Sequence, residues 1–414
     1  MLINEIEMSY EWDSLPKSQQ HSHPTLTISS PLSYRKTAKE KADLKVEKAD
    51  ALAKKGDYEG ALLYYDEAIT LKTDCTSAWY HQGVALHHLE REEEALASFD
   101  KALQFNPDNP KIWNYRGITL QTLKHYDQAI ASYDKALTLN PNDVKVWYNR
   151  AIALRKFKRY EKAIDSYNHA LAINPNYGKA WIDRGNTLRK LNRQQEAIAS
   201  YDNALAIQPD DEETCCSRGF LLYQLHRYQE ALVSFDQGIK VNPNSAQAWH
   251  NRAMILNHLE RYQEALESCD RALESNLDYE LAWNTKAVVL LNLKDYESMI
   301  ECYDHSLRIH PKNYQTWYLR GKTLFRLRRY EEAIDSYDQA LQLKQDYNYW
   351  TERGNALQEL QRYQEAVTAY NQALNLKPDD DELWMLQNLA TNRRRWQKWH
   401  QNLVKLWQKI KALL

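Results

Sequence analysis

The chain has 414 residues and a formal net charge of −2, with only 10 Gly and 11 Pro beside 13 Trp and 28 Tyr. So few turn-forming residues leave little room for a multi-stranded sheet, and no apolar run approaches the roughly 20 residues of a membrane span. Five Cys at irregular spacing form neither a disulfide framework nor a zinc motif, and no signal-peptide pattern is present. These features predict a soluble, helix-rich, cytoplasmic protein.

Residues 1–41 differ in composition from the rest of the chain. They contain Ser, Thr, Pro and Gln without helical periodicity, which predicts a flexible leader. A docking motif built on its few apolar residues, such as Ile3 and Trp12, is the alternative.

Tryptophans recur with a period of 34 residues from position 79 onward. Most of these Trp residues are followed by a small residue at +4, Leu at +7, Ala at +16 and an aromatic residue at +20, and Pro ends most periods. Leu277 replaces the Pro of one period, and Met299 and Ser306 stand where Ala is expected. These spacings indicate two amphipathic helices in each period. The Trp slots are Trp79, Trp113, Trp147, Trp181, Trp249, Trp283, Trp317 and Trp384, with Trp350 one residue early and Cys215 in the missing slot.

The pattern resembles the tetratricopeptide repeat family, and Trp147, Ala151, Leu154, Tyr167 and Pro175 stand at signature positions of that motif. The resemblance implies an all-α fold, a right-handed α-solenoid superhelix of helix-turn-helix repeats. The Gly that the family often places between the two helices is replaced by polar residues outside the first repeat. We expect ten repeats over residues 42–380, starting at Ala42, Thr76, Pro110, Val144, Gly178, Glu212, Ala246, Glu280, Tyr314 and Tyr347.

A second periodic pattern couples neighbouring repeats. Arg or Lys stands at +3 from most Trp slots, as in Arg150, and Asp or Asn stands at +21 of the preceding repeat, as in Asp134. Where +3 is Gln82 or Gln387, the upstream residue is Asp66 or Asn371. We interpret these as pairs across the junction between repeats; the alternative is a ligand-binding row of Arg residues.

In this family the concave face is lined by first-helix residues, which here stand at −2, +1, +5, +8 and +9 from the Trp slot. Repeats 3–5 place seven bases and no acid at these positions, whereas repeats 6–9 place mostly apolar and aromatic residues there. We predict a groove that binds an extended peptide or protein with an acidic segment and an adjacent apolar one; a solvated helix face is the alternative. The predicted groove residues are Lys111, Asn114, Lys145, Tyr148, Arg155, Lys156, Lys179, Asn186, Arg189, Lys190, Phe220, Tyr223, His250, Asn284, Tyr318, Lys322, Phe325 and Arg326.

Residues 381–414 predict a C-terminal capping and basic amphipathic helix. No acid follows Glu382, and apolar residues spaced from Trp396 to Leu413 fall on one helical face. Three interpretations remain open: a cap on the last repeat, a helix on an anionic membrane surface, and a helix for a protein groove or self-association. The predicted membrane or partner residues are Arg393, Arg394, Arg395, Trp396, Trp399, Lys405, Trp407 and Lys409.

No phosphate loop, nucleophile motif or paired-carboxylate motif is present, and the His and Cys positions lack metal-ligand spacing. We therefore expect no enzymatic activity, no cofactor and no metal, and nucleic acid is not an expected partner. The predicted function is a protein–protein interaction scaffold. The alternatives are a peripheral membrane tethering factor and a regulatory or substrate-recruiting subunit of a separate enzyme; the oligomeric state stays open.

Overall fold

The computed structural model describes residues 37–413, and every regular element in that range is an α-helix. The chain divides into two compact units between Pro209 and Asp210. The helices of unit 1 are α1 Ala38–Ala53, α2 Tyr58–Leu71, α3 Thr76–His88, α4 Glu92–Phe105, α5 Pro110–Thr122, α6 Tyr126–Leu139, α7 Val144–Lys156, α8 Tyr160–Ile173, α9 Gly178–Lys190 and α10 Gln194–Ile207.

Unit 2 repeats the same pattern and adds a long final helix. Its helices are α11 Glu212–Gln224, α12 Tyr228–Val241, α13 Ala246–His258, α14 Tyr262–Ser275, α15 Glu280–Leu293, α16 Tyr296–Ile309, α17 Tyr314–Arg326, α18 Tyr330–Leu343, α19 Tyr347–Glu359, α20 Tyr363–Leu376 and α21 Asp381–Leu413.

Consecutive helices pack as hairpins, and successive hairpins stack on one another within each unit. The first helix of every hairpin from α3 to α19 begins at the residue where the sequence predicts a repeat to start. The predicted all-α solenoid of helix-turn-helix repeats is thereby confirmed.

The first repeat begins earlier than the sequence pattern suggests. Helix α1 starts at Ala38 rather than Ala42, because Thr37 forms a capping box with Glu40. The Glu40 backbone N–H donates to Thr37 Oγ1 at 3.2 Å, and the Thr37 N–H donates to Glu40 Oε2 at 2.7 Å. Residues 38–41 therefore belong to the first helix and Thr37 caps it, whereas residues 1–36 of the expected leader lie outside the described range.

The small residue at +4 lets the two helices of a hairpin approach closely. A Cβ added to Gly117 would lie 2.5 Å from Cε1 of Tyr133, whose ring is fully buried. The same relation holds for Gly185 and Tyr201, at 2.6 Å. The aromatic residue at +20 thus packs over the bare backbone of the first helix.

The turn between the two helices of each hairpin contains one residue with positive φ. Gly56 has φ 84° in the first repeat, and nine non-Gly residues have φ between 58° and 63° in the others. The left-handed conformation is the one that a Gly would adopt at lower cost. The nine residues are Glu90, Lys124, Lys158, Asn192, His226, Glu260, Lys294, Arg328 and Gln361.

The Trp side chain links each hairpin to the turn that precedes it. Trp147 Nε1 donates to the Pro141 carbonyl at 2.8 Å, and the other Trp residues at the regular spacing donate to the carbonyl six positions upstream. Trp350 follows a repeat that is one residue short, and its Nε1 donates instead to Gln345 Oε1 at 3.0 Å. A side-chain oxygen therefore compensates for the missing residue.

The predicted pairs between repeats are confirmed in both units. Arg150 Nε donates to Asp134 at 2.6 Å, its Nη1 donates to Ser166 Oγ at 2.6 Å, and the guanidinium lies over the Trp147 ring. The corresponding amide pairs also form, with Gln82 Nε2 2.6 Å from Asp66. Because five of these Arg residues each hold three groups of the fold and Arg353 holds two, the row is structural. The other pairs are Arg116–Asp100, Arg184–Asn168, Arg252–Asp236, Lys286–Asp270, Arg320–Asp304, Arg353–Asp338 and Gln387–Asn371.

Candidate partner-binding surfaces

The first helices of neighbouring repeats lie side by side and form a continuous face within each unit. In unit 1, α1, α3, α5 and α7 contact one another in sequence, and in unit 2 the same holds for α11, α13 and α15. The positions +1 and +2 from the Trp slot meet across this junction: Asn149 Nδ2 donates to Asn114 Oδ1 at 3.3 Å. We call this surface the first-helix face; it carries the predicted groove residues.

Tyr148 and Arg155 of the predicted set lie in a polar cluster around Asp183. The Tyr148 hydroxyl donates to Asp183 Oδ2 at 2.8 Å, and Arg155 Nη2 lies 3.5 Å from Asp183 Oδ1. Burial, reinforced by the Asp183 charge, raises the pKa of Tyr148 far above its usual value. This carboxylate offsets part of the predicted positive charge of repeats 3–5.

Asp183 is a residue that the sequence analysis missed. It stands at +2 from Trp181, which is not one of the predicted lining positions −2, +1, +5, +8 and +9. The recurring polar residues at +1 and +2 of successive repeats were the available signal, since Asn114 and Asn149 pair in the same way.

Most other bases of the predicted set in unit 1 lie at the surface. Lys111, Lys156, Lys179, Arg189 and Lys190 are exposed, whereas Lys145 and Arg155 are partly buried. Within residues 37–413, no ion pair involves Lys111, Arg189 or Lys190. These three side chains therefore present uncompensated charge on the first-helix face of α5 and α9.

Two amides of the predicted set in unit 1 are partly buried and engaged by neighbours. Asn114 accepts the hydrogen bond from Asn149, and Asn186 Oδ1 accepts one from the Tyr201 hydroxyl at 2.8 Å. The Asn114 bond joins two first helices, and the Asn186 bond joins the first and second helices of one hairpin, so one polar atom of each amide is already engaged within the array.

In unit 2, two predicted residues pack between helices instead of facing solvent. His250 is only 6% exposed, its Nε2 lies 3.0 Å from Thr285 Oγ1, and its ring packs edge-on against Tyr279. Burial lowers the pKa of His250. Tyr223 is partly buried, with its hydroxyl 2.8 Å from His258 Nε2.

The ninth repeat combines aromatic rings with cations. Tyr318 stacks near Tyr349 with ring centroids 4.5 Å apart, and Lys322 Nζ lies 5.5 Å from the Tyr318 centroid. Arg326 lies over Tyr296 at 5.7 Å, and Phe325 contacts Tyr330 edge-on. This part of the predicted groove is therefore both apolar and basic.

Exposed apolar side chains follow the first-helix positions of α15. Leu281, Val288 and Leu291 are 53%, 50% and 40% exposed, and they occupy the −2, +5 and +8 positions of one helix. Phe220 on α11 is also exposed. Asn284 of the predicted set lies on α15 between Leu281 and Val288 in sequence and is partly buried. A run of exposed apolar residues on one helix is typical of an interaction surface.

The C-terminal helix meets the last repeat through a small face near its start. Leu383 and Ala390 are buried, and Leu386 packs against the same core. The Gln397 side-chain amide donates a hydrogen bond to the Gln361 carbonyl oxygen at 3.5 Å. Arg394 is partly buried, whereas the other predicted partner residues of this helix are exposed: Arg393, Arg395, Trp396, Trp399, Lys405, Trp407 and Lys409.

The buried cysteines have the character of core residues. Burial raises the pKa of Cys215 to about 11 and the pKa values of Cys216, Cys269 and Cys302 to about 12. Among residues 37–413 no cluster of three or more His, Cys, Asp or Glu is arranged to hold a metal ion. In the same range no helix combines the length and hydropathy needed to cross a membrane.

Models of the tetratricopeptide repeat match most of the array. The matched ranges are 41–110 and 218–280, then 110–143, 144–177, 314–347 and 347–380, with 166–199 and 185–226 covering the middle. A prenyltransferase alpha subunit repeat matches 296–327, which is a repeat and is not evidence for enzyme activity. No curated protein sequence matches the chain.

Solved structures with helical repeats are similar to this chain. YrrB, described as a TPR protein with an unusual peptide-binding site, is 26% identical, with 45% of this chain and 97% of that one covered and a TM-score of 0.41. A tetratricopeptide repeat protein from Parabacteroides merdae is 17% identical, with 60% and 99% covered and a TM-score of 0.43. PilW, a type IV pilus biogenesis factor, is 20% identical, with 50% and 96% covered and a TM-score of 0.44.

Proposed function

The chain belongs to the tetratricopeptide repeat family, whose members generally mediate protein–protein interactions, and on that basis we propose that it is a non-enzymatic scaffold for an extended peptide segment. Unit 1 would bind acidic side chains of such a segment, and unit 2, as a separate surface, would bind apolar side chains. The observation that carries this proposal is the uncompensated charge of Lys111, Arg189 and Lys190 on the first-helix face.

The three bases on the first-helix face differ from their neighbours in having no acidic partner within the described residues. A base that already forms an ion pair, as Arg155 does with Asp183, attracts an acidic partner less strongly because its charge is partly neutralised. Lys111, Arg189 and Lys190 are exposed and form no ion pair within the described residues. They are therefore available to steer an acidic segment and to pair with it.

The apolar part of the proposal depends on α15. Leu281, Val288 and Leu291 are spaced so that they lie along one side of the helix, and about half of each side chain is exposed. Covering such side chains removes apolar surface from water at roughly 25 cal/mol per Å2. An apolar segment of the partner would therefore bind there.

A random 12-residue peptide library displayed on phage tests the proposal. We expect the wild-type protein to enrich two classes of peptide, one rich in Asp or Glu that binds unit 1 and one rich in apolar residues that binds unit 2. The variant K111E/R189E/K190E should lose the first class, and the variant L281S/V288S/L291S should lose the second. The affinity of a peptide of the lost class should fall tenfold or more in its variant, at roughly 0.5–1 kcal/mol per contact.

Matched controls come from the second helices and from surface positions away from α15. K101E/K135E/K162E changes the net charge equally, because these three exposed lysines lie on α4, α6 and α8. V233S with L277S removes two equally exposed apolar side chains. If a control weakens peptide binding as much as its partner variant, or if the enriched peptides show no acidic bias, the proposal is wrong.

Affinity capture from native extract with the same variants then identifies the partner. If a single enzyme dominates the proteins that are lost with K111E/R189E/K190E, the scaffold acts as a regulatory or recruiting subunit of that enzyme. If several unrelated proteins are lost together, it acts as a general assembly platform.

A further inference from the structure

The apolar stripe of the C-terminal helix faces away from the repeats. On an ideal helix, the stripe falls within an arc of about 100°, and its centre lies about 160° from the face that carries Leu383 and Ala390. The residues of the stripe are Met385, Leu389, Trp396, Trp399, Leu403, Leu406 and Trp407. The buried contact with the array uses that second face. The Trp row therefore does not cap the last repeat.

The distal half of α21 has no contact with the array beyond Gln397. All described side chains from Lys398 onward are exposed, and the helix continues to Leu413, a length of about 24 Å. Trp396, Trp399 and Trp407 are 64%, 59% and 62% exposed. Three large indole rings held in water on one side of a helix indicate a binding surface that the described residues leave uncovered.

The charge around this stripe is positive throughout, which favours a negatively charged binding surface. No acid follows Glu382, and seven bases lie between Arg393 and Lys411. Lys398, Lys405 and Lys409 occupy the side opposite the Trp residues, whereas Arg395 and Lys411 flank the stripe. Within the described residues, none of these bases forms an ion pair with an acid.

We propose that residues 396–411 dock on an anionic lipid bilayer surface, with the helix lying parallel to that surface. Trp is the residue best suited to the membrane–water interface, and flanking Lys and Arg side chains reach the phosphate headgroups while their stems stay apolar. A second copy of this helix is a poorer occupant, because a dimer through the same stripe would bring two sets of seven bases together without an acid. The docking is independent of the peptide segment proposed for the first-helix face.

Co-sedimentation of the full chain with sucrose-loaded vesicles tests the proposal. We expect binding to phosphatidylcholine vesicles containing 30% phosphatidylglycerol, weak binding to phosphatidylcholine alone, and loss of binding in 0.5 M salt. Each basic residue near an anionic surface contributes roughly a fivefold factor. R395Q/K411Q, which removes the two bases that flank the stripe, should therefore lower the partition coefficient about 25-fold, and W396S/W399S/W407S should abolish binding at any lipid composition.

The control is K111Q/R189Q, which removes two positive charges from the first-helix face and should bind vesicles like the wild type. Circular dichroism keeps the test interpretable, because all five substituted residues of α21 are exposed and the melting temperature should not change. The proposal is overturned if the wild type fails to bind anionic vesicles or if the control variant loses as much binding as R395Q/K411Q. It is also overturned if sedimentation shows a dimer that W396S/W399S/W407S dissociates while vesicle binding is absent.

Discussion

The left-handed turn residues provide a direct test of the hairpin geometry. Lys124 and Lys158 have φ 63° and 60°, a conformation that costs an L-residue about 1–2 kcal/mol relative to its preferred regions. A Gly at the same position avoids that cost but loses about 0.5–1 kcal/mol through the greater freedom of the unfolded chain. We therefore expect K124G and K158G each to stabilise unit 1 by about 0.5–1 kcal/mol.

The two substitutions should add, because the sites lie in different repeats and share no contact partner. The double variant is then expected to gain about 1–2 kcal/mol, which corresponds to an increase in melting temperature of roughly 2–8 °C for a unit of about 200 residues. Urea titration followed by circular dichroism measures the change as a shift of the transition midpoint.

Three controls separate conformation from charge. K124A and K158A remove the same charges and should leave stability nearly unchanged, whereas K135G within α6 should destabilise by about 1 kcal/mol. N192G should change little, because Asn tolerates the left-handed region better than Lys does. A K124G/K158G variant that unfolds at a lower urea concentration than the wild type would refute the reasoning.

Three further predictions follow from contacts within the array. R150M should lower the stability of unit 1 by about 1 kcal/mol in urea titrations, because Asp134 loses a partner while remaining half exposed; D134N in the R150M background should restore little. The five buried Cys should react with a thiol reagent at pH 8 only when the chain unfolds, because burial shields all five sulfur atoms and raises the pKa of thiols such as Cys216 and Cys269. Burial lowers the pKa of His250 in the folded chain. Below about pH 6.5 this side chain is therefore protonated in the unfolded chain but stays neutral in the folded one. Stability should therefore fall between pH 7 and pH 5, and H250Q should show a smaller fall.

The periodic features of the fold were predictable from the sequence because every repeat solves the same packing problem. The Trp slot, the small residue at +4 and the aromatic residue at +20 recur at fixed spacing, and the structure uses them in the same way each time. The pairing of Arg150 with Asp134 could also be predicted, since a donor at +3 recurs with Asp or Asn at +21 of the preceding repeat, down to Gln387 facing Asn371 at the C-terminal end of the array.

The candidate surfaces were less predictable because position on a helix does not determine exposure. Tyr148 and His250 both stand at +1, yet each is buried by the first helix of the next repeat, through Asp183 and Thr285 respectively. The C-terminal helix shows a related limit. Its amphipathic pattern predicts an apolar face but not whether that face packs on the repeats. The buried contact made by Leu383 and Ala390 shows that the Trp residues point away from the last repeat.

The Trp-to-carbonyl bond also bears on how such an array changes in length. A main-chain carbonyl is supplied by any residue, so Thr73 and Leu277 accept the bond as well as Pro141 does. Most junctions within a unit therefore require the same contacts of their two neighbours, and a gene rearrangement that removed or duplicated one whole regular period would rejoin compatible halves. The junction at Trp350 differs, since Gln345 Oε1 accepts its bond, and so do the outermost junctions of the described array, where the amides of Gln82 and Gln387 replace a cation. The number of repeats can thus change during evolution while the two end repeats are retained.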